Sequence, residues 1–309
     1  MVYSISNLVR NRAHLLGKPG ETWLNGIDAS LATLSARWHL ASLKQLPGGS
    51  ESLVFSVVCD SGRKAVLKLM MPTTDPVRSE ALALKLAGGH GYAQLLEFAD
   101  EHDALLLEQL GQPIGELDLS VDEQLPLICS ALAESWAAPV DPGLSSGINK
   151  ADWLEAHFSN TPKRLRISPR PELINGCLDY LHQRRQAWRP ETFCLVHGDA
   201  HEHNALLLAN EKGMRKCKLV DPDGLFFEPA YDLGILMRNW HEQYQHPQAA
   251  TIAQKRCQLL ASISGVDAVA IWQWGVIEIA STGLHLAELN AELLGQAYLD
   301  IAQTLLSSD

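Results

Sequence analysis

The sequence predicts an α+β protein of two lobes, a small mixed lobe over residues 1–110 and a larger, mainly helical lobe over residues 111–309. In the first part, short apolar runs separated by Gly- and Asp-containing turns are typical of an antiparallel sheet. After about Leu110, the apolar residues recur mainly at helical spacing over longer segments. A chain of 309 residues is long enough for two lobes that each bury a core.

The small lobe is predicted to contain a sheet with one inserted helix. A first helix is expected from about Glu21 to Trp38, because apolar residues fall at helical spacing on one face. Strands are expected over 53–58, 65–70, 95–98 and 104–107. The inserted helix begins at Asp75-Pro76, where the aspartate is a suitable cap and proline fits the first turn, and it ends at Gly88-Gly89.

The larger lobe is predicted from longer helical segments that short strands interrupt. Helices are expected over 121–138, 150–158 and 171–186, and again from 248 to the end of the chain. Strands are expected over 193–196, 205–208 and 216–220. The turn 210–213 joins the last two strands, and Pro229 opens a further helix.

The composition and the net charge indicate which kinds of molecule the protein is expected to bind. Hydrophobic residues make up 46% and charged residues 20% of the chain, as in ordinary soluble globular proteins. The net charge of −11 argues against binding to nucleic acids or anionic membranes, which require basic patches. An acidic surface suits a cationic small molecule. The oligomeric state is left open, and a monomer is compatible with the sequence.

The cysteines and the apolar segments indicate the compartment. Six cysteines are scattered without CxxC spacing, so they are expected to be free thiols in a reducing compartment. Residues 1–11 lack the apolar core of a signal peptide. The most apolar stretch, 268–280, contains Gln273 and Glu278 and is too short to span a bilayer. We therefore expect a cytoplasmic protein.

The segment 197–204 is the most informative part of the chain, with the sequence His-Gly-Asp-Ala-His-Glu-His-Asn. With Asp221, it contains the groups that phosphoryl transfer from ATP requires: one carboxylate that orients a hydroxyl, and an amide and a second carboxylate that hold Mg²⁺. Asp199 and Asp221 each follow a predicted strand, and a predicted hairpin brings Asn204 close to Asp221. We predict Asp199 as the catalytic residue and Asn204 and Asp221 as magnesium ligands. The alternative for Asp199 alone is a turn aspartate that caps the backbone.

Lys68 and Glu80 form a second predicted group. Strand alternation places Lys68 on the face of Val66 and Met70, and Glu80 falls on an otherwise apolar helix stripe. Two opposite charges directed at apolar surroundings are expected to pair, and such a pair positions an ammonium against ATP phosphates. The alternative is that both side chains extend to solvent at the sheet edge.

Two further segments are weaker candidates for nucleotide binding. The loop Gly48-Gly49-Ser50 precedes the first predicted strand, where its amides are suited to covering phosphates, although such turns are common in ordinary loops. Glu108-Gln109-Leu110 lies at the predicted lobe junction, where backbone groups are expected to meet adenine. We assign Gly48, Gly49, Ser50, Glu108 and Leu110 to the nucleotide site.

Three acidic residues follow the predicted magnesium ligand. Asp232 lies in the first turn of a predicted helix, where the helix dipole favours a carboxylate, so we prefer a structural role. Asp223 and Glu228 either face a cationic substrate or are solvated loop acids. The predicted acceptor site includes both.

Histidines in the same segment allow a different class of function, a zinc-dependent hydrolase. His197, His201 and His203 are possible zinc ligands, but a hydrolase also needs later histidines with an aspartate beside them. The later histidines fall on ordinary helical segments, and structural or exposed histidines are the commoner outcome. We expect His197 to be structural and close to the site.

The motif block resembles the aminoglycoside phosphotransferase and choline kinase superfamily, through residues 197–204 and Asp221. More narrowly, residues 221–233 with Arg238-Asn239 resemble the streptomycin 6-kinase branch, the aminoglycoside/hydroxyurea resistance kinases. Residues 20–24 and 105–108 are similar to this branch as well. The resemblance therefore touches the chain from about residue 17 to about residue 290.

The resemblance implies a two-lobed protein-kinase-like fold and ATP- and Mg²⁺-dependent phosphorylation of a hydroxyl on a small molecule. Asp199 matches the catalytic aspartate of the family, and Asn204 and Asp221 match its magnesium ligands. Lys68 matches the lysine that contacts phosphate, whereas Glu80 is matched only by its position after the lysine strand.

The resemblance also indicates the acceptor, for which an aminoglycoside such as streptomycin is the first candidate. The chain departs from the branch at Asp223, where a basic residue is common, and at Glu228, where aspartate is common. Both departures bear on the acceptor more than on kinase chemistry. The alternatives are a kinase of another small alcohol or sugar metabolite, the zinc hydrolase, and a nucleotide-binding regulator without turnover.

Overall fold

The computed structural model describes residues 3–49, 51–72, 76–139, 143–165, 170–208 and 215–308. It confirms the predicted α+β class, because a sheet-rich N-terminal part is followed by a mainly helical part. Three sequence predictions lie outside the described residues: Ser50 of the glycine loop, Asp75 as a helix cap, and the turn 210–213.

An antiparallel sheet forms the centre of the N-terminal part. Its elements are, in chain order, α1 (Asn7–Leu15), α2 (Lys18–Arg37), β1 (Leu40–Gln45), β2 (Ser52–Cys59), β3 (Lys64–Met70), α3 (Pro76–Ala87), β4 (Leu95–Ala99) and β5 (Ala104–Glu108). The strand order is β1-β2-β3-β5-β4, and every neighbouring pair is antiparallel. The predicted sheet with one inserted helix is therefore confirmed.

The two faces of this sheet belong to different hydrophobic cores. Leu67 and Leu69 of β3 pack with α1 and α2 in one core. Met70 and the partly buried Val66 of the same strand face α3 and the second core, which extends into the helical part. Because side chains alternate along a strand, Lys68 lies on the second face. The division of the chain at residue 110 stays a prediction.

Long helices build most of the C-terminal part. They are α4 (Val121–Trp136), α5 (Gly147–Leu165), α6 (Pro171–Ala187), α7 (Ala230–Arg238), α8 (Ala249–Ser264), α9 (Ala268–Glu288) and α10 (Glu292–Leu306). Short strands lie between them: β6 (Ser145–Ser146), β7 (Cys194–Val196), β8 (Ala205–Leu207), β9 (Cys217–Leu219) and β10 (Leu225–Phe227). The strands β8 and β9 form the predicted antiparallel hairpin, and β10 lies between β6 and β7. Short 3-10 turns cover Asp100–His102, Ile114–Glu116, Pro190–Thr192 and His241–Tyr244.

Helix α9 is buried along most of its length and contacts α5, α6, α7, α8 and α10. At its crossing with α7, a Cβ on Gly234 would lie 2.3 Å from the Cβ of Trp274. Glycine is therefore required at this crossing, and the two helices lie close enough for Arg238 and Glu278 to interact. Across the described ranges, none of the helices has the length and apolar character needed to cross a membrane.

Several elements differ from the sequence predictions. The sequence gives no signal for α1, β1, β6 or β10, because these are short or carry polar residues such as those of β1 (Leu-Ala-Ser-Leu-Lys-Gln). Helix α2 begins at Lys18 rather than near Glu21, and α5 extends well beyond the predicted 150–158. Helix propensity and pattern define such boundaries only loosely.

The close packing of α7 against α9 at Gly234 can be tested by substitution. We predict that Gly234→Ala lowers the free energy of unfolding by about 1–3 kcal/mol, because the new methyl group overpacks against Trp274. The control is Gly26→Ala within α2, where a Cβ meets nothing within 4 Å. There the higher helix propensity of alanine should add about 0.5–1 kcal/mol. Urea unfolding of both variants measures the difference, and a stabilised Gly234→Ala protein would contradict the crossing.

Candidate active site

One cleft of about 610 Å³ lies between the sheet and the loops that follow β7 and β9. It brings together most of the predicted site, although these residues are far apart in the sequence. The predicted residues that line it are Gly49, Lys68, Glu80, Asp199, Asn204, Asp221 and Asp223.

Asp199 lies in the loop after β7, with its side chain half exposed to the cleft. One carboxylate oxygen, Oδ1, accepts a hydrogen bond of 2.7 Å from Nη2 of Arg238. The other, Oδ2, lies 3.7 Å from Nε2 of His201. Burial alone would raise the pKa of Asp199, but the charge of Arg238, together with His201, lowers it below its usual value. Asp199 is thus held as a carboxylate at the cleft surface.

The loop that carries Asp199 is anchored by Asp232, in the first turn of α7. Its Oδ2 accepts hydrogen bonds from the amide of His197 at 3.0 Å and the indole of Trp136 at 2.9 Å, and its Oδ1 accepts from the amide of Gly198 at 3.0 Å. Gly198 has a φ of +87°, and a Cβ there would lie 2.7 Å from the Cβ of Asp223. The fully buried Asp232 therefore fixes a turn that only glycine fits.

Both imidazole nitrogens of His197 form hydrogen bonds with backbone groups near the same loop. Its Nε2 lies 3.0 Å from the carbonyl oxygen of Val220, and its Nδ1 accepts from the amide of Asp199 at 3.2 Å. Burial lowers the pKa of His197 to about 4, so the ring is neutral with the proton on Nε2. Because both ring nitrogens are used, His197 is not available as a zinc ligand. Among the described residues, no group of three or more His, Cys, Asp or Glu side chains is arranged to hold a metal ion.

Asn204 and Asp221 meet at the open end of the β8–β9 hairpin. The amide nitrogen of Asn204 donates to the carbonyl oxygen of Asp199 at 3.1 Å, which directs its Oδ1 elsewhere. The backbone amide of Val220 donates to the carbonyl oxygen of Asn204 at 2.9 Å. Asp221 itself has a φ of +60°, a left-handed conformation that aspartate tolerates better than most residues. A neutral and a charged oxygen donor thus line the same cleft, and this pair of donor types fits Mg²⁺.

Lys68 joins the sheet to this loop. Its ammonium donates to the two carboxylate oxygens of Glu80 at 2.9 Å and 2.7 Å, and it also contacts Asp221. Both Lys68 and Glu80 are buried. Burial alone would lower the pKa of Lys68, but the charges of Glu80 and Asp221 raise it well above its usual value. The predicted Lys68–Glu80 pair therefore exists, and it includes a third partner.

Glu228 does not line the cleft and is not a solvated loop acid, so both interpretations of this residue from the sequence are wrong. It is buried, and its carboxylate accepts from Nη2 of Arg184 at 2.7 Å. The indoles of Trp188 and Trp274 donate to its Oε1 at 3.0 Å and 2.8 Å. The glutamate is therefore a structural anchor between α6, α7 and α9.

The remaining predicted nucleotide contacts lie outside this part of the cleft. Gly48 lines a neighbouring surface depression with residues of the N-terminal segment. The side chain of Glu108 accepts from the amide of Gln94 at 2.7 Å and pairs with Lys218. Leu110 is half-buried beside the second core, where the sheet connects to the helical part. Adenine contacts by Glu108 and Leu110 stay predictions.

Residues 37–288 match the family model of the aminoglycoside/hydroxyurea antibiotic resistance kinases. The chain belongs to this family. It is 24% identical over 300 residues to a streptomycin 6-kinase of Streptomyces glaucescens, which covers 96% of this chain and 95% of the relative. The family assignment makes the chain an enzyme, a phosphotransferase of the aminoglycoside phosphotransferase type.

Solved structures of related kinases share the fold. Choline kinase LicA from Streptococcus pneumoniae superposes with a TM-score of 0.62 at 13% identity, over 90% of this chain and 97% of that one. Aminoglycoside phosphotransferase APH(4)-Ia, solved as a ternary complex with ADP and hygromycin B, gives a TM-score of 0.57 at 16% identity, over 88% and 97% of the two chains. The predicted two-lobed protein-kinase-like fold is confirmed.

Several residues in or beside the cleft are not among the site residues that the sequence predicts. Arg238 enters the sequence argument only as part of the family resemblance, and Glu278 only as an interruption of an apolar stretch. Lys150 of α5 and Ser145 of β6 also line the cleft. A glutamate inside a helix that is otherwise apolar is a signal that a buried cation lies nearby, and Glu278 has that signal.

The anchoring role of Asp232 in this kinase is testable. Asn at position 232 keeps the shape but cannot accept all three hydrogen bonds, so Asp232→Asn should lower the free energy of unfolding by about 1–3 kcal/mol. The displaced loop should also lower kcat by roughly 10- to 100-fold. The control is Asp152→Asn, an exposed carboxylate paired with Arg185, which should change neither quantity measurably. A wild-type kcat in Asp232→Asn would show that the loop does not depend on this anchor.

Proposed function

We propose that the protein is a Mg²⁺- and ATP-dependent small-molecule kinase that transfers the γ-phosphate to a hydroxyl group. The observation that carries this proposal is the meeting of Asp199, Asn204, Asp221 and the Lys68–Glu80 pair in one cleft. Phosphoryl transfer depends mainly on positioning and electrostatics, and this arrangement supplies both. The free cysteines and the use of ATP support a cytoplasmic location.

On the nucleotide side, Lys68 is the residue that contacts phosphate. Its ammonium is bound by Glu80 and also contacts Asp221, and a phosphate bound by Lys68 would replace the contact with Asp221. Asn204 Oδ1 and the Asp221 carboxylate would hold Mg²⁺, which neutralises charge on the β- and γ-phosphates when it is bound. Gly49 lies at the edge of the same cleft, where a loop amide is suited to a phosphate oxygen.

On the acceptor side, Asp199 orients the hydroxyl and takes up its proton. Its Oδ1 is engaged by Arg238, so Oδ2 is the oxygen that faces an incoming hydroxyl. A carboxylate held in its ionised form is suited to this role, because the hydroxyl proton must be accepted at or after the transition state.

The charges around the acceptor position favour a cation. Asp223 is accessible from the cleft, yet the surrounding protein and the neighbouring Asp199 and Glu278 raise its pKa to about 6. The charges of Asp199 and Glu278 raise the pKa of Asp223, and those of Lys150 and Arg238 lower it. An acceptor that carries positive charge would relieve this repulsion. We propose an aminoglycoside, with streptomycin as the first candidate because of the family membership.

A neutral alcohol or sugar metabolite is the second candidate acceptor. Lys150 supports it, because this lysine lines the cleft and its charge lowers the pKa of Asp223 in opposition to the carboxylates. A cation in the cleft would repel a polycation and would donate hydrogen bonds to hydroxyl groups.

A coupled ADP-release screen tests the acceptor. We predict ADP release with streptomycin or another aminoglycoside, and weaker or no release with small polyols. The matched control is Asp199→Asn, which should lower kcat by roughly 10²- to 10⁴-fold while nucleotide affinity stays unchanged. Release with polyols alone would favour the second candidate. A wild-type rate in Asp199→Asn would remove that residue from the mechanism.

Magnesium binding by Asp221 has its own test. We predict that Asp221→Ala binds a non-hydrolysable ATP analogue equally with and without Mg²⁺, because the charged ligand of the ion is lost. In the wild-type protein, Mg²⁺ should strengthen binding. Calorimetry with Mg²⁺ and with EDTA measures both proteins. A magnesium effect that persists unchanged in Asp221→Ala would contradict the proposed site.

A further inference from the structure

Arg238 bridges two carboxylates that come from different parts of the fold. It is the last residue of α7, and its Nη2 lies 2.7 Å from Oδ1 of Asp199. Its other terminal nitrogen, Nη1, lies 3.5 Å from Oε2 of Glu278 on α9. The guanidinium is mostly buried, and Glu278 is almost completely buried. Arg238 therefore connects the carboxylate of Asp199 to Glu278 on α9.

This bridge is poorly suited to stabilising the fold. Oε1 of Glu278 is buried and has no hydrogen-bond partner among the described residues. The carboxylate has a hydrogen bond with Tyr231, but the desolvation of a buried ion pair with an unsatisfied oxygen can exceed its attraction, and apolar residues of similar size are often as stable. By contrast, the Arg184–Glu228 pair is completed by two indole donors. The Arg238 bridge therefore calls for an explanation other than stability.

We propose that Arg238 is the positioning residue of Asp199, and that Glu278 holds Arg238 in place for this task. The inference rests on the proposed role of Asp199 in orienting the acceptor hydroxyl. By binding Oδ1, Arg238 fixes the rotation of the carboxylate and leaves Oδ2 directed toward the acceptor. The planar guanidinium engages two carboxylates with separate nitrogens, which a lysine ammonium at the end of a flexible stem does less well.

The packing of α7 on α9 sets the geometry of the bridge. The glycine contact between Gly234 and Trp274 lies one helical turn from Arg238 and Glu278, so the distance between the two charged residues is fixed by backbone contact. A misplacement of about 1 Å at the reacting group can lower the rate on the order of 100-fold. The rigid crossing of α7 and α9 therefore fixes the position of Arg238, and Arg238 in turn fixes the position of the Asp199 carboxylate.

In the opposite role, Arg238 would occupy the place of a cationic acceptor beside Asp199, and the acceptor would have to displace it. The two roles make opposite predictions for removal of the guanidinium. Loss of a positioning residue lowers kcat, whereas loss of a residue that occupies the acceptor's place lowers KM for a cationic acceptor and leaves kcat unchanged or higher.

The test compares Arg238→Met, Arg238→Lys and Glu278→Gln with Arg184→Met, which breaks a buried pair of the same type away from the cleft. Rates are measured with streptomycin as acceptor and with water as acceptor, that is, as ATP hydrolysis. We expect Arg238→Met to lower kcat on the order of 100-fold with KM for ATP unchanged. Arg238→Lys should recover part of the loss, and Glu278→Gln should cause a smaller loss. Arg184→Met should lower the unfolding midpoint but not kcat.

Three results would overturn the inference. They are a wild-type kcat in Arg238→Met, a lower KM for streptomycin in that variant, and an equal loss of kcat in Arg238→Met and Arg184→Met. Asp199→Asn separates this failure from failure of the proposed function. If Asp199→Asn is inactive and Arg238→Met is normal, only the positioning role is wrong. If Asp199→Asn keeps its activity, the proposed mechanism itself is wrong.

Discussion

The ammonium of Lys68 is shared between Glu80 of the inserted helix and Asp221 at the end of the hairpin, and the nucleotide half of the site depends on this contact. A buried lysine stays charged only with carboxylates beside it, so the three residues need one another. The contact also joins the sheet to the loop that contains Asp221, a proposed magnesium ligand. With both ligands bound, a phosphate would pair with Lys68 and a magnesium ion would pair with Asp221, in place of the contact between these two residues.

A second group of charges, around α7, organises the proposed acceptor half of the cleft. Asp232 at the beginning of that helix holds the loop amides, and Arg238 at its end holds the carboxylate of Asp199. One short helix thus fixes both the backbone and the side chain of the predicted catalytic residue. Its tight packing against α9 gives this arrangement rigidity.

Local sequence patterns predict most of the fold and of the candidate site. They do not predict contacts between residues that are far apart in the sequence. Lys68 and Glu80 were predictable because strand alternation and helix spacing each aim a charge at apolar surroundings. The error at Glu228 has a different origin, because a loop acid looks the same whether it meets substrate or a distant arginine. Its partners, Arg184 and Trp274, lie far away in the sequence on other helices. The contact between Arg238 and Asp199 is not predictable from local patterns either, because the two residues are 39 positions apart. Only the charged Glu278 within an apolar stretch indicates a nearby cation.

A crystal structure with Mg²⁺ and a non-hydrolysable ATP analogue tests the proposed site most directly. We expect Mg²⁺ at about 2.0–2.1 Å from Asn204 Oδ1 and from a carboxylate oxygen of Asp221. We also expect Lys68 to keep its contact with Glu80 while it turns from Asp221 to a phosphate oxygen, and Asp199 to face the terminal phosphate. A nucleotide bound outside this cleft, or Asn204 and Asp221 directed into solvent with no metal between them, would contradict the proposed site.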